Sequence, residues 1–229
     1  MKIIIDSRMR KIEKEYLSKF GKLIEVLPQN SVYDEISGHP DIFFCKLNNV
    51  LFRAPNIQIG VGIPGNENIV FIYPGDVKYN VCQIGNFVIH NFSLTDTKIL
   101  EFINSSKLEK IQVNQGYSNC SISVISNNAC ITSDTKIYEA LKLKNIDCLL
   151  LKEDSIRLLD KNGLKSKMRG FIGGASCTID NKFILFGDSN YLKNKNELVE
   201  FLNKYNLELV DFKGLEIYDY GGVILWENI

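Results

Sequence analysis

The sequence predicts an α/β fold: a five-fold pseudo-symmetric α/β propeller of ββαβ units, closed through the chain termini. Residues 116–135 and 170–189 carry the first part of this prediction because they share a set of landmarks. Each has an opening Gly, a Cys, two apolar runs separated by an Asn-containing break, and an Asp followed by Ser or Thr. A repeat of roughly 40 to 50 residues is typical of closed arrays whose units pack on their neighbours. The 229 residues are therefore predicted to form a single domain, 1–229.

The segment that begins at residue 116 indicates what one unit builds. CSISVIS alternates apolar and polar residues, Asn127-Asn128 favours a turn, and ACITS forms a second strand, which together predict a β-hairpin. Asp134 then favours a helix start, and Ile137 and Leu141 lie on one helical face. The run IDCLLLK is a buried strand, so the unit is β-β-α-β.

The same pattern predicts hairpins that turn at Asn48-Asn49 and near Gly85-Asn86. DSNYLKNKNELVEFLNKYN predicts a helix before the strand LELVDF, and its cap is Asp188. In one unit the loop NIQIGVGIPGNEN replaces the helix before the strand IVFIYP.

The fifth unit is split between the chain ends. YGGVILWENI supplies one strand without a partner, and MKIIIDSRMRKIEKEYLSKFGKLIEVL supplies a strand, a helix and another strand. Counted through the termini, successive capping positions lie 38 to 54 residues apart. These positions are Asp6, Asn56, Asp96, Asp134 and Asp188. The C-terminal strand is therefore predicted to pair beside the N-terminal strand.

Composition narrows the function classes. Twenty-seven basic residues balance 27 acidic ones, so no net charge favours nucleic acid or an anionic membrane. The N-terminal apolar run of three isoleucines is too short for a signal peptide or a membrane span. Six scattered cysteines without a C-x-x-C pair are expected as free thiols of a reducing compartment. These features predict a cytoplasmic protein with no nucleic-acid or membrane partner and leave its oligomeric state undetermined.

A ring of five ββαβ units is the layout of the pentein fold, also called the guanidine-modifying-enzyme fold, which the chain resembles over its whole length. SGHPDIFFCKL resembles the Gly-His-x-Asp motif of agmatine and arginine deiminases, and GGASCTI resembles the loop that carries their nucleophilic cysteine. GHPDI, QGYSNC and GFIGGAS together resemble an uncharacterised bacterial family of this fold. The resemblance implies a small-molecule site at the ring mouth and, for an enzyme, hydrolysis of a C–N bond in a guanidino or amino-acid-like compound.

Attack on a guanidinium carbon requires a thiolate, a histidine for proton transfer and carboxylates that bind the planar cation. The resemblance implies that Cys177 is the nucleophile, His39 the general acid and base, and Asp41 its orienting partner. Cys120 stands at the matching landmark of the adjacent unit, so it is an alternative reactive thiol. Neither a cofactor nor a metal is implied, since no zinc-ligand spacing is present.

Further candidates lie at comparable unit mouths and are expected to converge on one rim of the ring. The substrate-binding candidates are Asp76, Tyr117, Asn119, Cys120, Gly173, Gly174, Asp219 and Tyr220.

Two departures from the deiminase pattern keep a second function class open. The C-terminal YGGVILWEN has no Cys where the deiminases carry theirs, and their Glu-Gly-Gly element has no match unless YPGD or DYGG replaces it. The alternative is a non-catalytic pentein-like binding module, similar to the translation initiation factor that shares the fold. His39 would then belong to a turn fixed by Pro40, and both cysteines would be small packing residues.

Other motifs favour structural roles. The G-x-G-x-x-G match at Gly60–Gly65 lacks the helix that a pyrophosphate requires. His90, alone in a hairpin strand, is interpreted as structural. KNGLKSKMRG, residues 161–170, is expected to be a solvated loop, or alternatively to recognise an anionic substrate group.

Overall fold

The protein is a mixed α/β chain of short strands and helices, and the computed structural model describes residues 1–55, 57, 73–152 and 154–227. Its strands in chain order are β1 (Lys2–Asp6), β2 (Lys22–Val26), β3 (Phe44–Leu47), β4 (Val50–Arg53), β5 (Cys82–Ile84), β6 (Phe87–His90), β7 (Glu109–Gln112), β8 (Ile122–Ser126), β9 (Ala129–Thr132), β10 (Asp147–Leu150), β11 (Arg157–Leu159), β12 (Lys165–Arg169), β13 (Ser176–Ile179), β14 (Lys182–Leu185), β15 (Glu208–Val210) and β16 (Ile224–Trp226). Its helices are α1 (Lys11–Leu17), α2 (Pro40–Phe43), α3 (Thr97–Ser105), α4 (Ser118–Ser121), α5 (Thr135–Lys142) and α6 (Lys195–Lys204). Single 3-10 turns cover Asp34–Ile36, Gly75–Val77 and Ser189–Tyr191.

Four three-stranded sheets repeat one topology. Their strand orders are β16-β1-β2, β5-β6-β7, β8-β9-β10 and β13-β14-β15. In each sheet the first two strands pair antiparallel and the third pairs parallel with the second, after a crossover helix. We number the units by these sheets, with β16-β1-β2 as the first and the β3-β4 hairpin as the second; β5, β8 and β13 begin the third, fourth and fifth. The predicted ββαβ repeat is therefore observed in four units.

The second unit is only partly described. Its hairpin, β3 paired antiparallel with β4, turns at Asn48-Asn49 as predicted. The predicted cap Asn56, the glycine-rich loop with Gly60–Gly65 and most of the strand IVFIYP lie outside the described residues.

The chain termini share one sheet, as predicted. β16 pairs antiparallel with β1, which places Ile3 opposite Leu225 and Ile4 opposite Ile224. Ile224 is buried and its neighbours in the strand are half-buried. The first unit is therefore assembled from the two ends of the chain.

Two of the five predicted helix caps are wrong. Asp6 does not cap α1, because its carboxylate accepts hydrogen bonds from the backbone and guanidinium of Arg8. Asp188 caps the 3-10 turn Ser189–Tyr191, and α6 begins several residues later. Asp96 and Asp134 cap α3 and α5 through their carboxylates, as predicted.

The segment 161–170, which the sequence predicts to be a solvated loop, contains strand β12, which pairs antiparallel with β11 to form a hairpin between the fourth and fifth units. The guanidinium of Arg8 donates to the carbonyl oxygens of Leu159 and Asp160, which fastens this hairpin to the first unit. Residues 165–169 of the predicted loop are therefore a strand, held by contacts distant in sequence, and most of its side chains are exposed.

Each apolar cluster of the core is shared by neighbouring units. One joins the third and fourth units, including Ile89 and Ile137; another joins the fourth and fifth, including Ile131 and Leu198. A third joins the fifth and first units, including Ile184. The remaining cluster joins the first three units. Burial between consecutive units is how repeat arrays are stabilised.

The first strands of successive units lie against one another. β16 contacts β3, β3 contacts β5, β5 contacts β8, and β8 contacts β13. Among the described residues, no helix combines the length and apolar character required to cross a bilayer.

Candidate functional site

The residues that precede the first strands of the five units meet at one place. In the second and fourth units a one-turn helix, α2 or α4, leads directly into the first strand. These turns aim Asp41 and Cys120 at each other: the Cys120 thiol donates to Asp41 Oδ2 over 2.7 Å. Strands from different units therefore bring together side chains 79 positions apart in the chain.

Asn80, from the third unit, links the second and fourth units. Its Nδ2 donates to Cys120 Sγ at 3.2 Å, and its Oδ1 accepts from the backbone N–H groups of Asn119 and Cys120. The Asn119 amide in turn donates to Asp41 Oδ2 at 3.3 Å. Both asparagines therefore orient the thiol and the carboxylate.

His39 and Asp219 complete the cluster from the second and first units. His39, Cys120 and Asp219 each have one nitrogen, sulfur or oxygen atom in the cluster. These three atoms lie within 4.8 Å of one another. His39 Nδ1 lies 3.9 Å from Asp219 Oδ1, and both side chains are about 1% exposed. The Asp219 carboxylate accepts from the backbone N–H groups of Phe171 and Gly221.

Asp41 is not the orienting partner of His39, which corrects the sequence prediction. Neither ring nitrogen of His39 has a hydrogen-bond partner, and both are buried. Asp41 Oδ2 instead accepts from the Cys120 thiol and the Asn119 amide.

Glycines provide the space for this cluster. A Cβ on Gly174 would lie 1.8 Å from Asp219 Oδ1, and one on Gly221 would lie 2.4 Å from His39 Cβ. A Cβ on Gly173 would collide with the carbonyl oxygens of Asn119 and Cys120. Gly173 and Gly174, both predicted site residues, therefore lie at the site. Any larger residue at either position would displace atoms of the site.

Backbone hydrogen bonds connect the unit mouths in sequence around the site. Gly174 N–H donates to Cys120 O, and the N–H groups of Tyr220 and Gly222 donate to Gly174 O. Asn119 N–H donates to Asn80 O, between the fourth and third units. The site is thus held by main-chain contacts as well as by side chains.

The buried cluster has unusual protonation properties. Burial is the largest cause that raises the pKa of Asp41 to about 7 and that of Asp219 to about 6. Burial, followed by the charges of these carboxylates, raises the pKa of Cys120 well above that of a free thiol. Burial and then the nearby Arg8 guanidinium lower the pKa of His39 well below its usual value. In the ligand-free protein His39 is therefore neutral and Cys120 is a thiol.

A cavity of about 290 Å³ opens onto His39, Cys120 and Asp219. Its walls also include Tyr33, Ile36, Tyr117, Leu158, Met168, Arg169 and Phe171. Leu158, Met168 and Arg169 come from the β11-β12 hairpin. The cavity has a mostly apolar wall and a polar floor, which is the usual composition of a small-molecule site.

Cys177 does not lie in this cavity. It is the second residue of β13, and it packs in the apolar cluster of the fifth and first units. It also lines a different cavity, with Ser123 and Val223. Burial alone raises the pKa of its thiol. Of the two candidate thiols, the structure therefore places Cys120, and not Cys177, beside His39.

The remaining candidates divide between the rim and the core. Tyr117 lines the cavity and donates from its hydroxyl to Asp76 Oδ2 at 2.8 Å. Tyr220 instead is buried, donates to Glu13 Oε2 at 3.0 Å and accepts from Arg10. The expectation that Tyr220 lines the pocket is therefore wrong, because its ring turns toward the fifth and first units.

Sequence reasoning missed Asn80. Its one available signal was position: Asn80, Cys120 and Gly174 each stand two residues before the first strand of their unit. His90, by contrast, is structural as expected. Its Nδ1 bonds Thr95 Oγ1 at 2.7 Å and its Nε2 bonds Gly116 O at 2.9 Å.

The comparisons with known proteins identify a family but not an activity. No curated protein and no solved structure matches the chain. A family model described as a family of unknown function (DUF6873) matches residues 4–224. Because that match covers nearly the whole chain, the protein belongs to this family of unknown function.

Proposed function

We propose that the protein is a pentein-like five-unit α/β propeller that hydrolyses a C–N bond of a guanidino or amino-acid-like compound in the cavity above His39, Cys120 and Asp219. The observation that carries the proposal is the convergence of a thiol, an imidazole and a carboxyl on the floor of one cavity, with the Asp41 carboxyl bound to that thiol. The reactive thiol in this proposal is Cys120.

Three observations support the ring. The first strands contact one another from β16 through β3, β5 and β8 to β13. Two cavities of about 310 Å³ each, which share Asn119, Val124, Val223 and Leu225, are lined by residues of several first strands. The terminal strands β16 and β1 pair, and one apolar cluster joins the fifth and first units, as a closed ring would require.

The charge of the cluster favours a cationic ligand. Asp41 and Asp219 lie beside the thiol, Arg8 is bound to the Asp6 carboxylate, and Arg169 belongs to the cavity wall. A guanidinium group that enters the cavity would lose its water shell and gain hydrogen bonds to the carboxylates. Its positive charge would lower the pKa values of Asp41, Asp219 and Cys120. The substrate would thereby create the thiolate that attacks it.

The chemistry follows from that step. Neutral His39 accepts the thiol proton, and the Cys120 thiolate forms a bond to the guanidinium carbon. The C–N bond to the leaving amine breaks as the imidazolium returns the proton to nitrogen. Water, deprotonated by His39, then displaces the thiolate and releases a urea-type product. Each step uses groups that lie on the cavity floor.

The alternative is a non-catalytic binding module, and one observation favours it. Cys120 is about 2% exposed, and its pKa is raised well above that of a free thiol, so the ligand-free thiol is poorly nucleophilic. In that case the same cavity binds a cationic small molecule without covalent chemistry.

A substrate survey with matched variants separates the two functions. Purified protein is incubated with agmatine, arginine and methylated guanidines, and ammonia or amine release is measured. We expect turnover that Cys120→Ala and His39→Ala abolish and that Cys177→Ala retains. Turnover that survives Cys120→Ala would reject the thiol mechanism. A ligand that raises Tm without being consumed would support the binding module.

The ring itself is tested by removing residues 222–229. This deletion removes β16, exposes an edge of β1 and uncovers the buried contacts of Ile224. We expect loss of the cooperative thermal unfolding transition. A truncated protein that unfolds like the full chain would argue against closure through the termini.

The compartment is part of the same proposal. All six cysteines are free, as the sequence predicts, and all six are buried. Unpaired thiols fit a reducing compartment, so we place the protein in the cytoplasm.

A further inference from the structure

The floor of the cavity holds a donor set that is typical of metal ligands. His39 offers a ring nitrogen, Cys120 a sulfur and Asp219 a carboxylate oxygen, and the three atoms lie within 4.8 Å of one another. All three residues are buried, and each comes from a different unit of the repeat. No local sequence spacing could reveal such a set, because its members are 81 and 99 positions apart.

The second observation is that His39 has no partner. Both of its ring nitrogens and Asp41 Oδ1 are buried without a hydrogen bond. Buried polar groups in proteins are nearly always bonded, so an exception requires an explanation. The chain's other histidine, His90, uses both ring nitrogens. This imidazole lies beside the sulfur and oxygen donors and has ring nitrogens available for coordination.

The donor chemistry selects the class of ion. Mg²⁺ and Ca²⁺ prefer oxygen ligands, whereas a mixed nitrogen, sulfur and oxygen set suits Zn²⁺ and related transition ions. Three protein ligands with the fourth position toward a cavity are typical of an open zinc site. The cavity of about 290 Å³ borders all three residues and supplies that open position.

The geometry requires only a small contraction. Donors at about 2.0–2.3 Å from a tetrahedral ion lie roughly 3.3–3.8 Å from one another. The His39 Nδ1 to Asp219 Oδ1 distance is 3.9 Å, and the widest separation in the set is within 4.8 Å. Side-chain shifts of about 1 Å therefore close the site.

We propose that His39, Cys120 and Asp219 bind one divalent ion of the zinc class, with the fourth coordination position open to the cavity. Asp41 is the positioning residue, because its Oδ2 contacts the sulfur at 2.7 Å and fixes its place. The ion occupies the imidazole and the thiol, so it competes with the thiol chemistry proposed above. The metal site does not depend on that chemistry, because binding is measured without turnover.

The test uses Co²⁺ as a spectroscopic probe on untagged, chelator-treated protein, since an affinity tag of histidines would bind the ion itself. We expect one equivalent of Co²⁺ to produce a thiolate-to-cobalt charge-transfer band in the near ultraviolet and the visible bands of a tetrahedral site. Stoichiometric Zn²⁺ should remove these bands. Wild-type protein that shows no charge-transfer band would overturn the proposal without any variant.

Two matched variants assign the ligand. Loss of a residue that only supports a metal ligand weakens metal affinity about 10- to 100-fold. Cys120→Ala removes a proposed ligand itself, so it should raise the Kd for Co²⁺ at least about 100-fold. Cys177→Ala removes a buried thiol outside the site and should leave the spectrum unchanged. A band that persists in Cys120→Ala would overturn the assignment.

A wild-type measurement guards against misfolded variants. Zn²⁺ should raise the Tm of the unmodified, chelator-treated protein. A Tm that saturating Zn²⁺ leaves unchanged would contradict the site. The substrate survey tests the proposed hydrolysis, and Co²⁺ binding tests the metal site. A protein that binds Co²⁺ but consumes no substrate would therefore reject only the hydrolase proposal.

Discussion

The two units whose sequences look most alike, residues 116–135 and 170–189, place their cysteines in opposite environments. Cys120 contacts a carboxylate and an asparagine amide at the floor of a cavity, whereas Cys177 packs among apolar side chains. The shared landmarks suggested that the two cysteines were equivalent. They are not.

Strand pairing shows the true correspondence. Cys177 pairs with Ile184 in its hairpin, and Ser123 pairs with Ile131 at the same step of the other hairpin. Two residues before each first strand stand Cys120 in one unit and Gly174 in the next. The position of Cys120 is thus taken by a glycine, and the Asp219 carboxylate fills the space that a side chain on Gly174 would need. A matching residue type is therefore weaker evidence than position relative to the strand.

The largest expected difference between the two environments is electrostatic. A pKa of about 7 for Asp41, against 3.8 for an ordinary aspartate, means that the folded state keeps a proton that the unfolded chain loses between those pH values. Stability should therefore be full below pH 3.8 and should decline as pH rises to about 7. At about 1.4 kcal/mol per pKa unit this corresponds to roughly 4 kcal/mol.

The change Asp41→Asn should remove the part of this decline that belongs to Asp41 and leave the part due to Asp219, whose pKa is also raised, measured by urea unfolding across that pH range. Asp180→Asn, in the exposed turn of the Cys177 hairpin, is the matched control for the chemical change. A steep decline that persists in Asp41→Asn would assign it to another group.

The next largest effect concerns Gly174, whose missing side chain leaves room for the Asp219 carboxylate. Gly174→Ala places a Cβ at 1.8 Å from Asp219 Oδ1 and should cost about 3 kcal/mol of unfolding free energy. Gly75→Ala is the control, because its Cβ would meet no atom within 4 Å. Equal Tm values for the two variants would mean that Asp219 does not depend on Gly174 for its place.

Serine substitutions compare the two cysteines directly. Cys177→Ser buries a hydroxyl in an apolar cluster and should cost about 1–3 kcal/mol. Cys120→Ser keeps Asp41 and Asn80 as partners and should cost less than about 1 kcal/mol. Chemical denaturation of both variants decides the order, and the reverse order would contradict the described environments.

The smallest effect concerns the Asp landmark of the two units. Asp134 uses Oδ1 for both N–H groups of α5, so Asp134→Asn should change stability by less than about 0.5 kcal/mol. Asp188 uses one oxygen for Asn190 N–H and the other for Gly214 N–H, so Asp188→Asn should cost about 1 kcal/mol. Thermal unfolding of the Asp134→Asn and Asp188→Asn variants measures the difference in stability. Equal losses of stability in the two variants would refute the prediction.

The sequence by itself determined the repeat. Hairpins at Asn48-Asn49, Gly85-Asn86 and Asn127-Asn128, the caps Asp96 and Asp134, and the pairing of the chain ends were all predicted correctly. These features depend on strand alternation, turn chemistry and helix capping, which act between residues close in sequence. The convergence of His39, Asp41, Asn119, Cys120, Gly174 and Asp219 also follows, because equivalent positions of repeated units meet at one rim.

Only the tertiary structure decided which residues face one another. The choice of Cys120 over Cys177, the role of Asn80, and the separation of Asp41 from His39 depend on contacts between units distant in sequence. The β11-β12 hairpin likewise forms a cavity wall because Arg8 holds it from the first unit. The physical reason is that repeat periodicity sets where each strand begins, while close packing between units decides which side chain has room there.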